Sequence, residues 1–447
     1  MTVDKNPILA AVRPYVVPID ANTPVIDWER SQGARFYDSN AGHDVIDFAS
    51  HYASLPLGYN HPEFSDKAYE AELLKVSKIK IANLDVLSES YAKFLATFMR
   101  VVGPAEARKY FFVEGGALAV ENALKAAFDW KVRRNIRKGK GERGYEVIHF
   151  KEAFHGRSGY TLSLTNTTDP NKIQYFPKFD WPRITTPKMH FPMVGNNQEQ
   201  TLKAEQAAMK EIKAVFAAKP DDIAAIIIEP IQAEGGDNHF RPEFLKFLRD
   251  MANEHDAMLV FDEVQTGMGI TGKPWAYQSI GVEPDLVAFA KKAQMGGFFS
   301  NARILEEPKN VFNVPSRISS TWGASLTDMV RSTKYLEIME RENILENVCA
   351  RGAQIMELLR QIEKRTELIT NVRGRGLMIA FDLVRPDTRQ QVVDALYDNG
   401  LFVLVCGDRS IRFRPHLNVT AAVAEEALAI VEKTLQQLNV PAQPAQL

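Results

Sequence analysis

The amino-acid sequence predicts an α/β fold, with a central, mostly parallel sheet in a large domain and a smaller α+β domain near the C-terminus. Short apolar runs alternate with segments of helical pattern through the middle of the chain, and such alternation is typical of an α/β sheet. The run at 223–228 is apolar at every position, as expected for a parallel strand that helices cover on both faces. The pattern restarts after about residue 330, which indicates the second domain.

The individual elements are predicted in chain order from the same patterns. A helical segment at 67–98 comes first, and a helix at 117–134 carries apolar residues at helical spacing. Strands are predicted at 108–113, 145–150, 223–228, 258–261 and 286–289. The second domain is predicted to contain a long helix to about 363, a strand at 377–381, a helix, a strand at 402–405 and a final helix from 421.

Three regions follow from these elements. Residues 1–65 are rich in Pro, Asn and Asp and are predicted to form an N-terminal segment that packs with the small domain. Residues 66–330 would form the large, ligand-binding domain, and residues 331–447 the small C-terminal domain. Within the large domain, segment 165–200 interleaves prolines with aromatic residues. Loops of this length are usually functional or lie in an interface.

Composition excludes several classes of function. The formal net charge is -2, so the chain has no basic surplus for binding nucleic acid or an anionic membrane. Residues 1–7 contain no apolar signal core, and no apolar run approaches the length of a membrane span. The two cysteines, Cys349 and Cys406, show no spacing that indicates a metal site or a disulfide framework. We therefore expect a cytoplasmic protein without a bound metal.

Two of the predicted strands end in an acid and in a lysine. Asp262 follows the apolar run at 257–261, and Lys291 and Lys292 follow the run at 285–290. An enzyme that uses pyridoxal 5'-phosphate (PLP) needs such a pair, because the lysine holds the cofactor as a Schiff base and the acid keeps its ring nitrogen protonated. Either strand alone is more simply explained as a core strand capped by solvated polar residues. The prediction therefore depends on the other residues of the constellation.

Further candidates could bind the phosphate, the ring and a carboxylate. Gly116 and Ala117 lie between a predicted strand and a predicted helix, where small residues let backbone amides approach an anion. Phe154 could stack on a flat heterocycle, and Arg157 could clamp a carboxylate with its planar guanidinium. The plain alternatives are a tight turn, a core phenylalanine and a surface arginine.

Polar residues later in the chain complete the constellation. Glu234 stands beside two glycines and could approach a ligand closely, although a simple turn would have the same composition. Gln265 could donate a hydrogen bond to the ring oxygen of the cofactor, and Thr321 offers a hydroxyl for a second phosphate contact. Arg412 and Arg414 alternate along a short strand, so one can face the site while the other points away.

Together these residues resemble the class III (omega) aminotransferases of the fold-type I PLP enzymes. The resemblance extends from Gly-Tyr-Asn-His-Pro at 58–62 to Arg-Phe-Arg-Pro at 412–415. Its most specific parts are Glu-Pro-Ile-Gln-x-Glu-Gly-Gly at 229–236 and the spacing of Asp262, Gln265 and Lys291. The resemblance implies a fold-type I PLP-dependent transferase.

Other segments resemble one branch of this class, which contains the 4-aminobutyrate transaminases and the L-lysine 6-transaminases. Phe-Asp-Trp-Pro at 179–182 and Glu-Gly-Gly-Asp-Asn-His at 234–239 are similar to the branch as a whole. Two segments are most similar to the lysine 6-transaminases: Phe-Val-Glu-Gly-Gly-Ala-Leu-Ala-Val-Glu-Asn-Ala-Leu-Lys at 112–125 and Pro-Ser-Arg-x-x-Ser-Thr-Trp-Gly at 315–323.

The resemblance implies roles for the residues around the cofactor. Lys291 would be the Schiff-base lysine and proton shuttle, and is preferred to Lys292 because it lies six residues after Asp285. Asp262 would bind the ring nitrogen. The phosphate would be held by Gly116, by Ala117 and by Thr321 of the partner subunit, and Phe154 would stack on the ring. The resemblance thus implies a homodimer.

The resemblance also implies how the substrates bind. Arg157 would bind the distal carboxylate, and Arg412 the α-carboxylate of 2-oxoglutarate. Glu234 would cover Arg412 when an ω-amine arrives. Ser319 departs from the pattern, because an Asn is expected two residues before Thr321 in some lysine transaminases. The details of lysine recognition are therefore open.

The reaction implied is transfer of the ε-amino group of L-lysine to 2-oxoglutarate. Its products are glutamate and 2-aminoadipate 6-semialdehyde, which cyclises to piperideine-6-carboxylate. The alternative donor is 4-aminobutyrate or another ω-amine. A PLP-dependent decarboxylase or racemase could share Lys291 and Asp262, but the pair of Glu234 and Arg412 favours transamination. A non-catalytic binding protein would not need Lys291 and Asp262 together, and a PLP-fold transcription factor would need a helix-turn-helix module and a basic face.

Overall fold

The computed structural model describes residues 6–438 of the 447-residue chain. Residues 1–5, on which the predicted lack of a signal core partly rests, lie outside the described residues, as do residues 439–447 at the end of the predicted small domain. In the described part, no helix is long and apolar enough to cross a membrane. Nor does residue range 6–438 contain a group of three His, Cys, Asp or Glu side chains that could hold a metal ion.

The strands of the described range are β1 (Ile26–Gln32), β2 (Arg35–Asp38), β3 (His43–Asp47), β4 (Lys109–Val113), β5 (Glu146–Phe150), β6 (Arg183–Ile184), β7 (Ile223–Ile228), β8 (Ile231–Gln232), β9 (Asn238–His239), β10 (Met258–Asp262), β11 (Leu286–Phe289), β12 (Gly296–Ser300), β13 (Ile369–Arg375), β14 (Met378–Leu383), β15 (Leu401–Phe402), β16 (Leu404–Cys406) and β17 (Ser410–Phe413).

The helices of the same range are α1 (Pro7–Val12), α2 (Ser50–Ala53), α3 (Lys67–Ser77), α4 (Glu89–Val101), α5 (Gly116–Arg137), α6 (Gly159–Leu164), α7 (Asn196–Ala218), α8 (Pro242–Glu254), α9 (Ala276–Ile280), α10 (Leu326–Arg341), α11 (Ile344–Thr366), α12 (Arg389–Asp398) and α13 (Ala421–Leu438). Of these, α2 is a single left-handed turn with positive φ at all four residues.

A seven-stranded sheet forms the centre of the fold, with the strand order β4-β12-β11-β10-β7-β5-β6. The contacts among β11, β10, β7, β5 and β6 are all parallel. Only β12 opposes its neighbours, and it pairs antiparallel with both β11 and β4. The predicted central, mostly parallel sheet is therefore confirmed.

The central sheet is buried on both faces, and alternate residues of its strands pack into the cores on the two opposite faces. In β7, Ile226 and Ile228 belong to the apolar core on one face, whereas Ala225 and Ile227 belong to the core on the other. Successive side chains of a strand point to opposite faces, so a strand covered on both sides must be apolar throughout. This requirement explains the uninterrupted apolar run that identified β7 in the sequence.

Three smaller sheets lie outside the central one in the described range, and one of them is the two-stranded pair of β8 and β9. The sheet β13-β14-β17-β16 is antiparallel throughout and accounts for the second, smaller α+β unit. The sheet β1-β2-β3-β15 contains three strands of the N-terminal segment, and β15 is paired parallel to β3. The boundaries of the three predicted domains remain a prediction.

Some predicted elements differ in extent from the observed ones. The helical segment predicted at 67–98 is two helices, α3 and α4, because Asn83 is buried between them and donates through its side chain to the Ala324 carbonyl, 2.9 Å away. The long helix predicted to end near 363 is also divided, into α10 and α11, at Asn343, whose φ of 50° leaves the right-handed helical region. The strand predicted at 402–405 is two strands in different sheets, β15 and β16.

The central sheet brings distant parts of the sequence to one edge. The parallel strands β5, β7, β10 and β11 present their carboxyl ends on the same side, and β4, which runs in the same direction, ends there too. Ligand sites of open α/β sheets lie outside these carboxyl ends. The segments that follow these five strands are the ones that carry most of the predicted site residues.

Candidate active site

A cavity of about 950 Å³ lies at this edge of the sheet, within the size range of small-molecule sites. Nine predicted site residues line it, namely Gly116, Ala117, Phe154, Arg157, Glu234, Asp262, Gln265, Lys291 and Arg412. The two other predicted residues, Ser319 and Thr321, are exposed and do not line it. The structure thus brings together residues that are separated by nearly 300 positions in the sequence.

Asp262 is buried at the end of β10 and is held by two contacts. Its Oδ2 lies 2.8 Å from Nδ1 of His155, and its Oδ1 accepts a hydrogen bond of 3.0 Å from the backbone N–H of Val264. The Nε2 atom of His155 is buried and has no hydrogen-bond partner in the described chain. The carboxylate is therefore fixed by its surroundings, and it faces the cavity together with His155.

The two consecutive lysines after β11 have different surroundings. Lys291 lines the cavity and has a left-handed backbone, with φ of 53°. Burial, followed by the nearby charges of Arg412 and Arg414, lowers the pKa of Lys291 to about 8. Lys292 is turned away from the cavity, and its Nζ donates a hydrogen bond of 2.8 Å to the carbonyl oxygen of Gln265. The geometry therefore places the side chain of Lys291, and not that of Lys292, in the site.

The N-terminus of α5 forms the floor of the cavity near Gly115 and Gly116. Gly115 has φ of 85°, a conformation that favours glycine. A Cβ atom on Gly116 would lie 2.9 Å from a methyl carbon of Val264, so a side chain would displace its neighbour. The backbone amides at this 22-residue helix can approach an anion closely.

The segment that carries Phe154 is held by a buried glutamate. Glu229, directly after β7, accepts hydrogen bonds from the backbone N–H groups of Phe154, at 2.9 Å, and of Ala233, at 3.0 Å. Burial raises the pKa of Glu229 to about 7. Sequence reasoning did not single out Glu229 or His155, although one follows the apolar run of β7 directly and the other stands next to Phe154.

Arg412 and Arg414 both contact the side-chain oxygen of Gln265, but only Arg412 lines the cavity. Gln265 Oε1 accepts one hydrogen bond of 3.3 Å from Arg412 and another of 2.9 Å from Nε of Arg414. Arg414 is fully buried and forms a two-pronged ion pair with Asp237. Arg412, in β17, thus points into the cavity, and Arg414, directly after β17, points away from it. The amide nitrogen of Gln265 stays free of these two contacts.

Glu234 also lines the cavity, but its partners lie on the loop before β6. Its Oε1 accepts two hydrogen bonds of 2.8 Å, one from Nζ of Lys172 and one from the hydroxyl of Thr167. Within residues 6–438, Arg412 forms no ion pair with Glu234 or with another carboxylate. Arg157, which is exposed at the cavity, likewise forms no ion pair with a described residue. Arg389 also lines the cavity without a carboxylate partner in the described range, and it donates to the carbonyl oxygens of Cys406 and Gly407. The cavity therefore holds three arginines without a carboxylate partner among residues 6–438.

The comparison with known families decides what this arrangement is. The model of the class-III aminotransferases matches residues 16–435 of the chain. The chain is a class-III aminotransferase. The cofactor of this family is pyridoxal phosphate, so the chain is a PLP-dependent enzyme that acts on small molecules. The predicted fold-type I family and the predicted cofactor are confirmed.

Similar proteins within the family include L-lysine-epsilon aminotransferases and 4-aminobutyrate aminotransferases. The L-lysine-epsilon aminotransferase of Amycolatopsis lactamdurans is 45% identical over 414 residues, which cover 92% of each chain. The lysine aminotransferase from M. tuberculosis in the internal aldimine form superposes with a TM-score of 0.93, at 43% identity, covering 96% of this chain and 99% of that one. The mitochondrial 4-aminobutyrate aminotransferase of Homo sapiens is 30% identical over 416 residues, which cover 88% of this chain and 81% of that protein.

Proposed function

We propose that this aminotransferase moves the ε-amino group of L-lysine to 2-oxoglutarate. The observation that carries the proposal is the higher identity to a lysine-epsilon aminotransferase, 45%, than to a 4-aminobutyrate aminotransferase, 30%. The products would be glutamate and 2-aminoadipate 6-semialdehyde, which cyclises to piperideine-6-carboxylate. The test is a panel of amine donors with 2-oxoglutarate, in which glutamate formation is measured. We expect the highest kcat/KM with lysine, and a higher value with 4-aminobutyrate would contradict the proposal.

The residues of the cavity fit the cofactor. When bound, PLP supplies an electron sink and the group that accepts the amine. We assign Asp262 to its ring nitrogen, since Asp262 is a buried carboxylate whose geometry is fixed by His155 and Val264. Gly116 and Ala117 would bind the phosphate at the N-terminus of α5. Phe154 would stack on the ring, and Gln265, whose amide nitrogen is free of the two arginine contacts, would donate to the ring oxygen.

Lys291 would hold the cofactor and move the proton at the reacting carbon. An unperturbed lysine has a pKa of 10.5, and only its neutral form is a nucleophile or a base. Because burial and two arginines lower the pKa of Lys291 to about 8, its neutral form is far more abundant near pH 7 than in water. The position of its side chain in the cavity and this lowered pKa both support the role.

Two of the cavity arginines, Arg157 and Arg412, suit the carboxylates of the two substrates. Arg157, exposed at the cavity, would bind the carboxylate that is distal from the reacting carbon. Arg412, which is buried, would bind the α-carboxylate of 2-oxoglutarate, and Glu234 would cover Arg412 while lysine reacts. Ser319 would contribute to lysine recognition from the exposed segment before Thr321. Each of these assignments is part of the proposal.

A homodimer would complete the site. Thr321, which we assign to the phosphate of the neighbouring subunit, is exposed and does not line the cavity of its own chain. Near it, Trp322 is 44% exposed and stacks under Lys80, whose neighbour Ile79 is 71% exposed. Leu87, farther along the same segment, is 76% exposed. Obligate interfaces are rich in apolar side chains, and the exposed apolar residues of this segment support the proposal.

Leu87→Glu is expected to dissociate the dimer, because it places a charge in the proposed apolar interface. Light scattering should then give the mass of a monomer, and PLP affinity should fall because Thr321 no longer reaches the partner cavity. Ile136→Glu is the matched control. Ile136 is 54% exposed but lies in the last turn of α5, outside the segments of the proposed interface, so this variant should remain dimeric. A wild-type protein that is monomeric and fully active would contradict the proposal.

A further inference from the structure

The position of Glu234 in the cavity is set from two sides. Its backbone carbonyl accepts a hydrogen bond of 2.8 Å from the N–H of Gly407. The next residue, Gly235, is packed against the Glu152 carbonyl, and a Cβ atom on Gly235 would lie 1.9 Å from that oxygen. The main chain is therefore fixed, and only the side chain of Glu234 can change partner. In this structure that side chain is turned towards Lys172 and Thr167.

Lys172 provides the charge that holds Glu234 in this position. Its Nζ lies 2.8 Å from Glu234 Oε1 and 3.9 Å from Oδ2 of Asp169, and all three residues line the cavity. Lys172 and Thr167 belong to the same loop, between α6 and β6. Two groups of one loop thus donate to the same carboxylate oxygen.

Arg412 is left open by this arrangement. It is 4% exposed, its Nε has no hydrogen-bond partner, and a 3.3 Å contact with Gln265 is the hydrogen bond that its guanidinium makes among residues 6–438. A buried cation without a counter-ion favours any carboxylate that can reach it. Two carboxylates can compete for this place: that of Glu234 and that of a substrate.

We propose that Lys172 is a positioning residue that controls this competition, an inference that rests on the proposed function. By holding Glu234 away from Arg412, Lys172 leaves Arg412 free for the α-carboxylate of the keto acid. Without the Lys172 ammonium, Glu234 loses one of its two donors in the open position. Its carboxylate then occupies Arg412 more often, and a substrate must displace it. Lys172 therefore sets the affinity for dicarboxylates through Glu234, without touching the ligand.

The experiment measures equilibrium binding of glutarate to the PLP-loaded enzyme by calorimetry. Glutarate has the two carboxylates of 2-oxoglutarate but no carbonyl to react. Lys172→Met should raise the Kd of glutarate about tenfold, within the usual range for coupling between two sites. Lys172→Arg, which keeps the charge, should restore binding. The matched control is Lys178→Met, since Lys178 is an exposed lysine of the same loop whose Nζ donates to the Ile173 carbonyl and which does not line the cavity. The Kd of glutarate for this variant should equal that for the wild type.

A second background separates this role from direct contact. If Lys172 acts through Glu234, then Lys172→Met should cause no further loss of glutarate binding in a Glu234→Gln enzyme. An equal loss in both backgrounds would mean that Lys172 binds the ligand itself, and unchanged binding in the Lys172→Met enzyme would mean that it has no role; either result overturns the proposal. Failure of the proposed function appears elsewhere, as a wild-type enzyme that does not react with lysine.

Discussion

Replacement of Lys291 by alanine is expected to abolish transamination. The variant would lack both the amine that attaches PLP and the base that moves the proton. We expect kcat to fall by at least about 10⁴, the upper end of what one acid–base group contributes. Lys291 alone of the two lysines after β11 lines the cavity. Borohydride reduction followed by intact-mass measurement should show one pyridoxyl group per wild-type chain and none on Lys291→Ala.

Lys292→Met is the matched control for this prediction. Lys292 is buried and its Nζ donates to the carbonyl of Gln265, so methionine preserves the bulk of the side chain while removing the amine. This variant should keep the covalent cofactor, although the loss of the hydrogen bond to Gln265 should reduce its thermal stability. Loss of the attached mass from Lys292→Met, with retention in Lys291→Ala, would show that the assignment is displaced by one residue.

Asp262→Asn is expected to reduce kcat by about 10³, a loss comparable with removal of a preorganised electrostatic group in other active sites. The amide can accept from the N–H of Val264 with its oxygen and donate to Nδ1 of His155 with its nitrogen, but it carries no negative charge to stabilise a protonated ring nitrogen. The measurement is glutamate formation from lysine and 2-oxoglutarate at saturating substrate.

Glu229→Gln provides the comparison for Asp262→Asn. Glu229 is also a buried carboxylate that lines the cavity, but its hydrogen bonds go to the backbone of Phe154 and Ala233. Its loss should therefore act on the placement of Phe154 and cost less activity than the loss of Asp262. Equal losses in the two variants would contradict a specific role of Asp262 at the ring nitrogen.

The central sheet could be predicted from the sequence because burial on both faces leaves a local signal. Strands β7, β10 and β11 are apolar at consecutive positions, and the polar residues that follow them mark the edge where ligands bind. The break between α3 and α4 around Asn83 and the break between α10 and α11 at Asn343 were not predicted, since they depend on contacts and backbone angles that the residue pattern does not encode. Strands β3 and β15 pair in one sheet although they lie some 350 positions apart, and no local sequence pattern indicates that pairing.

The site was predicted as a set of residues rather than as a set of contacts. Family motifs identified Asp262, Lys291 and Glu234, but not the histidine that holds Asp262 or the loop lysine that holds Glu234. Such partners are determined by how separate loops pack against each other. A single histidine or lysine in the sequence does not indicate which residue it will contact. The assignments of Ser319 and Thr321 remain predictions, because they depend on a neighbouring subunit.

The most direct test of the proposed function is to determine which nitrogen of lysine is transferred to 2-oxoglutarate. Lysine labelled with ¹⁵N at the ε-position is incubated with 2-oxoglutarate and the enzyme, and the mass of the glutamate is measured. We predict that the glutamate carries the label, and that lysine labelled only at the α-position gives unlabelled glutamate. Unlabelled glutamate from ε-labelled lysine would show that the α-amine is transferred, and would contradict the proposed reaction.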